Sequence, residues 1–176
     1  MREAVLSCVL VAATAQAAAG QDIRVRPVPR DGRIYVSFSM TEAFSEDMRD
    51  AIRSGLETSF SYDVELRRGG PFWFARTIAA TVLTATVRYD NLTRRYHVTR
   101  AQDGRVEGSE VFDSEAEVRR WLTSFERMPL FSTERLEANA EYSLRVRART
   151  RPRRGGLPWP FGRHEAAGLA KFTFIP

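Results

Sequence analysis

Apolar and polar residues alternate cleanly over Ile34-Tyr35-Val36-Ser37-Phe38-Ser39-Met40, a period of two that predicts a strand with one buried face. Ile23 and Val25, interleaved with Arg24 and Arg26, predict a shorter strand before Pro27, and Asp31-Gly32 supplies the turn between the two. The period then changes. Met48, Ala51, Ile52 and Leu56 fall on one helical stripe, with Ser45 as a cap, Glu46 and Asp47 at the positive end, and Gly55 weakening the last turn. Tyr62, Val64 and Leu66 return to alternation against Asp63, Glu65 and Arg67.

Thr77 to Arg100 reads as a long hairpin, turning at Asp90-Asn91 and returning through Tyr96 and Val98. The sequon Asn91-Leu92-Thr93 sits at that turn and reads as turn chemistry. Asp103-Gly104 turns the chain again into a short strand over Arg105 to Phe112. Ser114 and Glu117 make a capping box for a second helix, whose stripe is Val118, Trp121, Leu122 and Phe125 and which Pro129 ends. Tyr142, Leu144, Val146 and Ala148 alternate with Ser143, Arg145, Arg147 and Arg149, and a Pro/Gly-rich loop from Pro152 to Gly162 leads to a last strand over Ala170 to Ile175. About eight strands with two short helices and no βαβ rhythm predict a mainly β (α+β) domain. Its expected form is an antiparallel β-sandwich or a partly open barrel.

The first nineteen residues stand apart. Arg2 is followed by the apolar run Ala4 to Ala15, and small residues around Ala17 and Ala19 suit a signal peptidase. The run is short for a membrane anchor. The expected organisation is a signal peptide over 1–19 and a single β-rich domain over 20–176, with the mature protein exported to the periplasm or its membrane surface. The sole cysteine, Cys8, lies inside the leader, so the mature chain is expected to carry no disulfide, thiolate metal site or cysteine nucleophile.

Net charge is +5, and 26 of the 27 basic residues are arginine, Lys171 being the exception. Arginine's planar fork suits phosphate and carboxylate. GC-rich codon usage accounts for much of the excess, so placement carries more information than number. Arg145, Arg147 and Arg149 share one strand face and form either a phosphate-binding row or a solvated surface paired with Asp63 and Glu65. Two segments, Arg67 to Arg76 and Arg153 to Arg163, set aromatic residues between arginines. Phe72, Trp73, Phe74 and Arg76 in the first, and Trp159 and Phe161 in the second, either anchor a partner or membrane or fold over one end of the core.

Catalytic patterns are missing. His97 is expected on the outer face of its strand and His164 in a loop, with no HExxH spacing, GxSxG elbow or phosphate-binding loop. No catalytic residue, metal ligand or cofactor is assigned. A hydrolase with a dispersed site around His97 or His164 is the residual enzymatic alternative.

The Phe72-Trp73-Phe74-Ala75-Arg76 segment precedes the hairpin Val87-Arg88-Tyr89-Asp90-Asn91-Leu92-Thr93-Arg94-Arg95-Tyr96-His97-Val98. The strand Glu141-Tyr142 to Arg149 and the segment Leu157-Pro158-Trp159-Pro160-Phe161 follow. In this order the chain resembles the bacterial domain of unknown function 4390 family over most of its length. That family consists of small exported proteins of uncharacterised activity, and its members' proximity to genes for sensor kinases implies an envelope-sensing partnership. The tail Lys171 to Pro176 is shorter and poorer in tryptophan than the family pattern. The expectation is an exported, non-enzymatic interaction module that binds a membrane or envelope protein such as a sensor kinase. The alternative is a peripheral binder of anionic lipid or envelope polymer; nucleic acid is not an expected partner.

Overall fold

The computed structural model describes residues 23–41, 46–69, 76–152 and 165–175. In chain order these form β1 (Ile23–Arg30), β2 (Arg33–Met40), α1 (Glu46–Arg53), β3 (Thr58–Arg68), β4 (Arg76–Asp90) and β5 (Arg95–Gln102). β6 (Arg105–Phe112), α2 (Glu115–Thr123), β7 (Ser124–Ser132), β8 (Glu141–Pro152) and β9 (Glu165–Thr173) complete the sequence. All strand pairs are antiparallel and fall into two sheets, β1-β2-β7 and β6-β5-β4-β3-β8-β9. The sheets face each other as a sandwich and do not close into a barrel.

β3 lies at the centre of the larger sheet, pairing over its full length with β4 on one side and β8 on the other. Its alternation is strict: Phe60, Tyr62, Val64 and Leu66 are buried, while Ser59, Ser61, Asp63 and Glu65 look outward. Beneath it lie Ile34, Val36 and Phe38 from β2, with Ile52 of α1 and Val118 and Leu122 of α2 filling the same core. Phe38, Tyr62 and Phe125 form a ring cluster with centroids 4.6 to 5.1 Å apart, within the range where aromatic pairs add about 0.5–1.5 kcal/mol beyond burial. The Tyr62 hydroxyl donates to the Leu122 carbonyl at 2.8 Å, so its polar end is matched inside the core.

Arg100 occupies an inward position on β5 and is sandwiched between Trp121 and Phe125, its guanidinium carbon 4.2 and 4.3 Å from the two ring centroids. Its Nη2 donates to the carbonyls of Trp121 and of Ser124, the latter at 2.8 Å. A cation here meets the negative end of α2 as well as two ring faces. Burial pushes the Arg100 guanidinium below its ordinary pKa, with Glu110 and Tyr62 acting in the opposite sense.

Several expectations are corrected. The second helix ends at Thr123, not at Pro129, and Ser114 caps it by accepting from Ala116 N at 3.2 Å. Phe125 therefore belongs to β7, a strand that raises the described count to nine. Leu130 and the Glu126–Arg127 pair bulge from the β2–β7 ladder, with Arg127 at φ 48, and these bulges hide the alternation. The first strand continues through Pro27 and Pro29 to Arg30. Both prolines, like Pro129, sit on edge strands of the three-stranded sheet, where the missing N–H costs no central ladder bond. α1 stops at Arg53: Gly55, at φ 85, donates to Ile52 O while Leu56 N reaches Ala51 O, a Schellman closure. The last strand begins earlier than expected, at Glu165, and ends at Thr173.

The seam between the sheets depends on Gly168 of β9. A Cβ built there would lie 2.3 Å from the Ile23 carbonyl oxygen and 2.8 Å from Val25 Cγ2, so β1 reaches β9 only because the side chain is missing. Gly108 on β6 has nothing within 4 Å of the same position. Replacing a strand glycine by alanine ordinarily gains about 0.5–1 kcal/mol, whereas overpacking costs about 1–3 kcal/mol. Urea unfolding of Gly168→Ala is therefore expected to give a lower midpoint than the parent, and Gly108→Ala an equal or higher one. The reverse order would refute the seam.

Burial raises the Tyr62 phenol above its ordinary pKa. The unfolded chain ionises this group from about pH 10 while the folded chain resists. The contribution of this group is thus fully present below about pH 10 and is lost as pH rises toward the folded value. In urea titrations at pH 8.5 to 11.5, Tyr62→Phe is expected to flatten that decline. A slope unchanged by the substitution would count against this origin.

Candidate functional site

The helices and the small sheet pack on the inner face of the six-stranded sheet, and among the described residues nothing packs on its outer face. Alternation and register together lay out that face. On β8, Arg145, Arg147 and Arg149 point outward, opposite Glu65, Asp63 and Ser61 of β3. On β9 the corresponding neighbours are Leu169, Ala167 and Glu165. On β4 they are Ala80, Val82 and Thr84. At about 3.3–3.4 Å per residue the three arginines span roughly 13 Å along β8.

The pairing expected between this row and the β3 carboxylates is realised only in part. Asp63 binds Arg149, two residues along from its register partner, at 2.6 Å. Both side chains are partly solvated, which limits such a pair to at most about 1 kcal/mol. Arg147 faces Asp63 in register yet makes no ion pair with the described residues, and its buried Nε has no hydrogen-bond partner. Arg145 faces Glu65 and likewise makes none. Some arginines elsewhere are committed: Arg49 and Arg53 to Glu115 at 3.0 and 2.8 Å, Arg95 to Asp113 at 2.7 Å, and Arg68 to Glu137.

Beside the arginines the face is rich in hydroxyls. Ser59, Thr86, Thr99 and Ser109 stand in one row across β3, β4, β5 and β6. Ser59 and Thr86 are bonded at 3.0 Å, Thr99 and Ser109 at 3.2 Å. The neighbouring row runs Arg149, Ser61, Thr84, Ala101 and Val106. Sequence reading passed over these rows, although each of the four hydroxyl residues holds an outward position once its strand is fixed.

Arg76 opens β4, exposed, opposite Arg68. Phe72, Trp73, Phe74, Trp159, Phe161 and His164 lie outside the described residues. The strand ends that flank the two aromatic segments are nevertheless fixed. Arg68 and Arg76 pair with each other beside Tyr142, whereas Pro152 pairs with Thr58 at the other end of the β3–β8 ladder. Ten residue steps separate these ends, roughly 33 Å. The register does not bring the two flanks together. His97 is half-buried on the outer face between Arg88 and Val111. A shallow depression between the helices, lined by Arg49, Ile52, Arg53, Tyr96, Glu115 and Val118, is bridged by the Glu115 ion pairs and ties α1 to α2. Burial, then the Glu115 charge, raises the Tyr96 phenol. Among the described residues no group of three or more His, Cys, Asp or Glu side chains is placed to hold a metal ion, and no helix is long and apolar enough to cross a membrane.

A family model described as "Domain of unknown function (DUF4390)" matches residues 15–166 of the 176. The chain belongs to that family. No curated protein and no solved structure matches it. The family assignment agrees with the resemblance carried by the aromatic segment and the β4–β5 hairpin, and it leaves function to be argued from the site.

Removing the Asp63 carboxylate is expected to free Arg149 and to deepen the positive potential beside Arg147. Asp63→Ala should change the unfolding free energy by less than about 1 kcal/mol while lengthening retention on an immobilised polyanion at low salt. Shortened retention would show that the carboxylate assists the face instead of masking it.

Proposed function

We propose that this chain is an exported binding module of the bacterial envelope, without catalytic activity, that engages an anionic ligand through the open face of its larger sheet. The observation that carries this reading is the state of Arg145 and Arg147: adjacent on β8, outward, and without an ion-pair partner among the described residues. Two guanidiniums side by side on a sheet face free of described packing can present their planar forks to the phosphate or carboxylate of a ligand. The basic net charge of +5 adds long-range attraction for anions. Export rests on the leader-like segment Met1 to Ala19.

The second reading is a membrane-protein partner, a sensor kinase among the candidates, gripped through Trp73 and Trp159 with the surrounding arginines. The strand ends that flank those two segments lie at opposite ends of the β3–β8 ladder, while Trp73 and Trp159 themselves lie outside the described residues. The arginine face is the more economical site.

Binding to an anionic matrix is expected to weaken as salt rises, because exposed charges are screened within about 8 Å at physiological ionic strength. The variant Arg145→Gln/Arg147→Gln/Arg149→Gln should lose at least tenfold in affinity at low salt and retain its fold by circular dichroism. Affinity that persists in the folded variant would remove the face from the proposal. Specific capture of one membrane protein by that variant in intact cells would favour the protein-partner reading.

A further inference from the structure

The geometry points to a saccharide-binding surface beside the arginine row, making the ligand of this face an anionic polysaccharide. The inference rests on the anion-binding reading of the same face and names its ligand class. Three features on the face support it. The row Ser59, Thr86, Thr99 and Ser109 crosses four strands, whose backbones lie about 4.8 Å apart, so the row spans roughly 14 Å. Each hydroxyl has one donor and two acceptor lone pairs, so the pairwise bonds at 3.0 and 3.2 Å leave capacity on every member. Such a rank matches the closely spaced hydroxyls of a sugar chain lying across the strands.

The adjacent row supplies what a pyranose ring needs besides hydrogen bonds. At one end Arg149, opposite Ser61, offers a cation. At the other, Ala101 and the 62 % exposed Val106 offer apolar ground for the C–H face of a ring. Arg149 gives Asp63 only part of its five-donor fork, and Arg147 beside it has no ion pair among the described residues. A linear polymer carrying carboxylate or phosphate can place its charge on these arginines and run along the hydroxyls.

The same map disfavours a bilayer. The acids Asp63 and Glu65 stand between the arginine strand and the apolar Val82 and Ala80 of β4. A flat anionic membrane would press on both carboxylates at once, which costs desolvation and like-charge repulsion. A single polymer one saccharide wide passes beside them.

The test compares three probes against the mature chain at one low ionic strength: polygalacturonate, poly-glutamate at equal carboxylate concentration, and vesicles of phosphatidylglycerol. Polygalacturonate is expected to bind most tightly. Thr86→Val/Thr99→Val keeps shape and β-branching while deleting two hydroxyls. It should weaken polygalacturonate about tenfold, as two hydrogen bonds of ordinary strength imply, and leave poly-glutamate unchanged. If that variant does not fold, Ser59→Ala/Ser109→Ala at the ends of the row gives the same readout. Equal affinity for both polymers, or vesicles as the tightest ligand, would overturn the saccharide assignment. An unchanged polygalacturonate affinity in a folded hydroxyl variant would do so as well. If these variants are inert but the triple arginine variant still abolishes polyanion binding, the saccharide assignment falls and the anionic face stands. If the arginine variant also binds every probe unchanged, both fall.

Discussion

A one-residue slip of β3 would turn Phe60, Tyr62, Val64 and Leu66 to solvent and bury Ser59, Ser61, Asp63 and Glu65. The strand is paired on both sides from Thr58 to Arg68, so such a slip would have to break two ladders at once. Everything else takes its place from that register. Tyr62 fixes where the Leu122 carbonyl ends α2, and α2 in turn supplies the Trp121 ring over Arg100. On the other side of the strand the same alternation decides which residues meet the arginines of β8. Core and candidate face are therefore set by one register seen from two sides.

Much of this was legible because β3, β2 and β8 alternate without interruption, and a period of two is the least ambiguous signal a chain carries. β7 was hidden for a physical reason. Its two bulges shift the inward set from Phe125 to Leu130 and Phe131, and Pro129 imitates a helix terminator while acting as an edge residue. Arg100 left a fainter trace. It follows Tyr96 and Val98 at the inward parity of β5, and a cation at that parity announces a buried partner that the chain alone does not name. The arginine row was visible in sequence, but not that Arg149 takes Asp63 and leaves Arg147 without an ion pair among the described residues.

The excess of arginine over lysine illustrates why position outweighs composition. Arg49 and Arg53 hold Glu115 between two helices, and Arg100 spends its charge on carbonyls and rings inside the core. These are uses that lysine, a point charge with no planar fork, serves poorly. Codon bias can supply the residues, but it does not set the register that places Arg145 and Arg147 on one face of β8.

The openness of the fold bears on the same question. The small sheet carries proline on both edges, Pro27 and Pro29 on β1 and Pro129 on β7, which discourages it from growing by strand addition. Beyond the shared core, its edge strand β1 meets β9 of the large sheet at Gly168 without a ladder between them. The six strands are thereby left as one sheet roughly 24 Å across, with hydroxyls and cations on a common surface. Closure into a barrel would have bent those rows around a tight circumference and separated the arginines from the distal hydroxyls. An extended ligand needs an extended face, and a six-stranded sheet left unclosed supplies one.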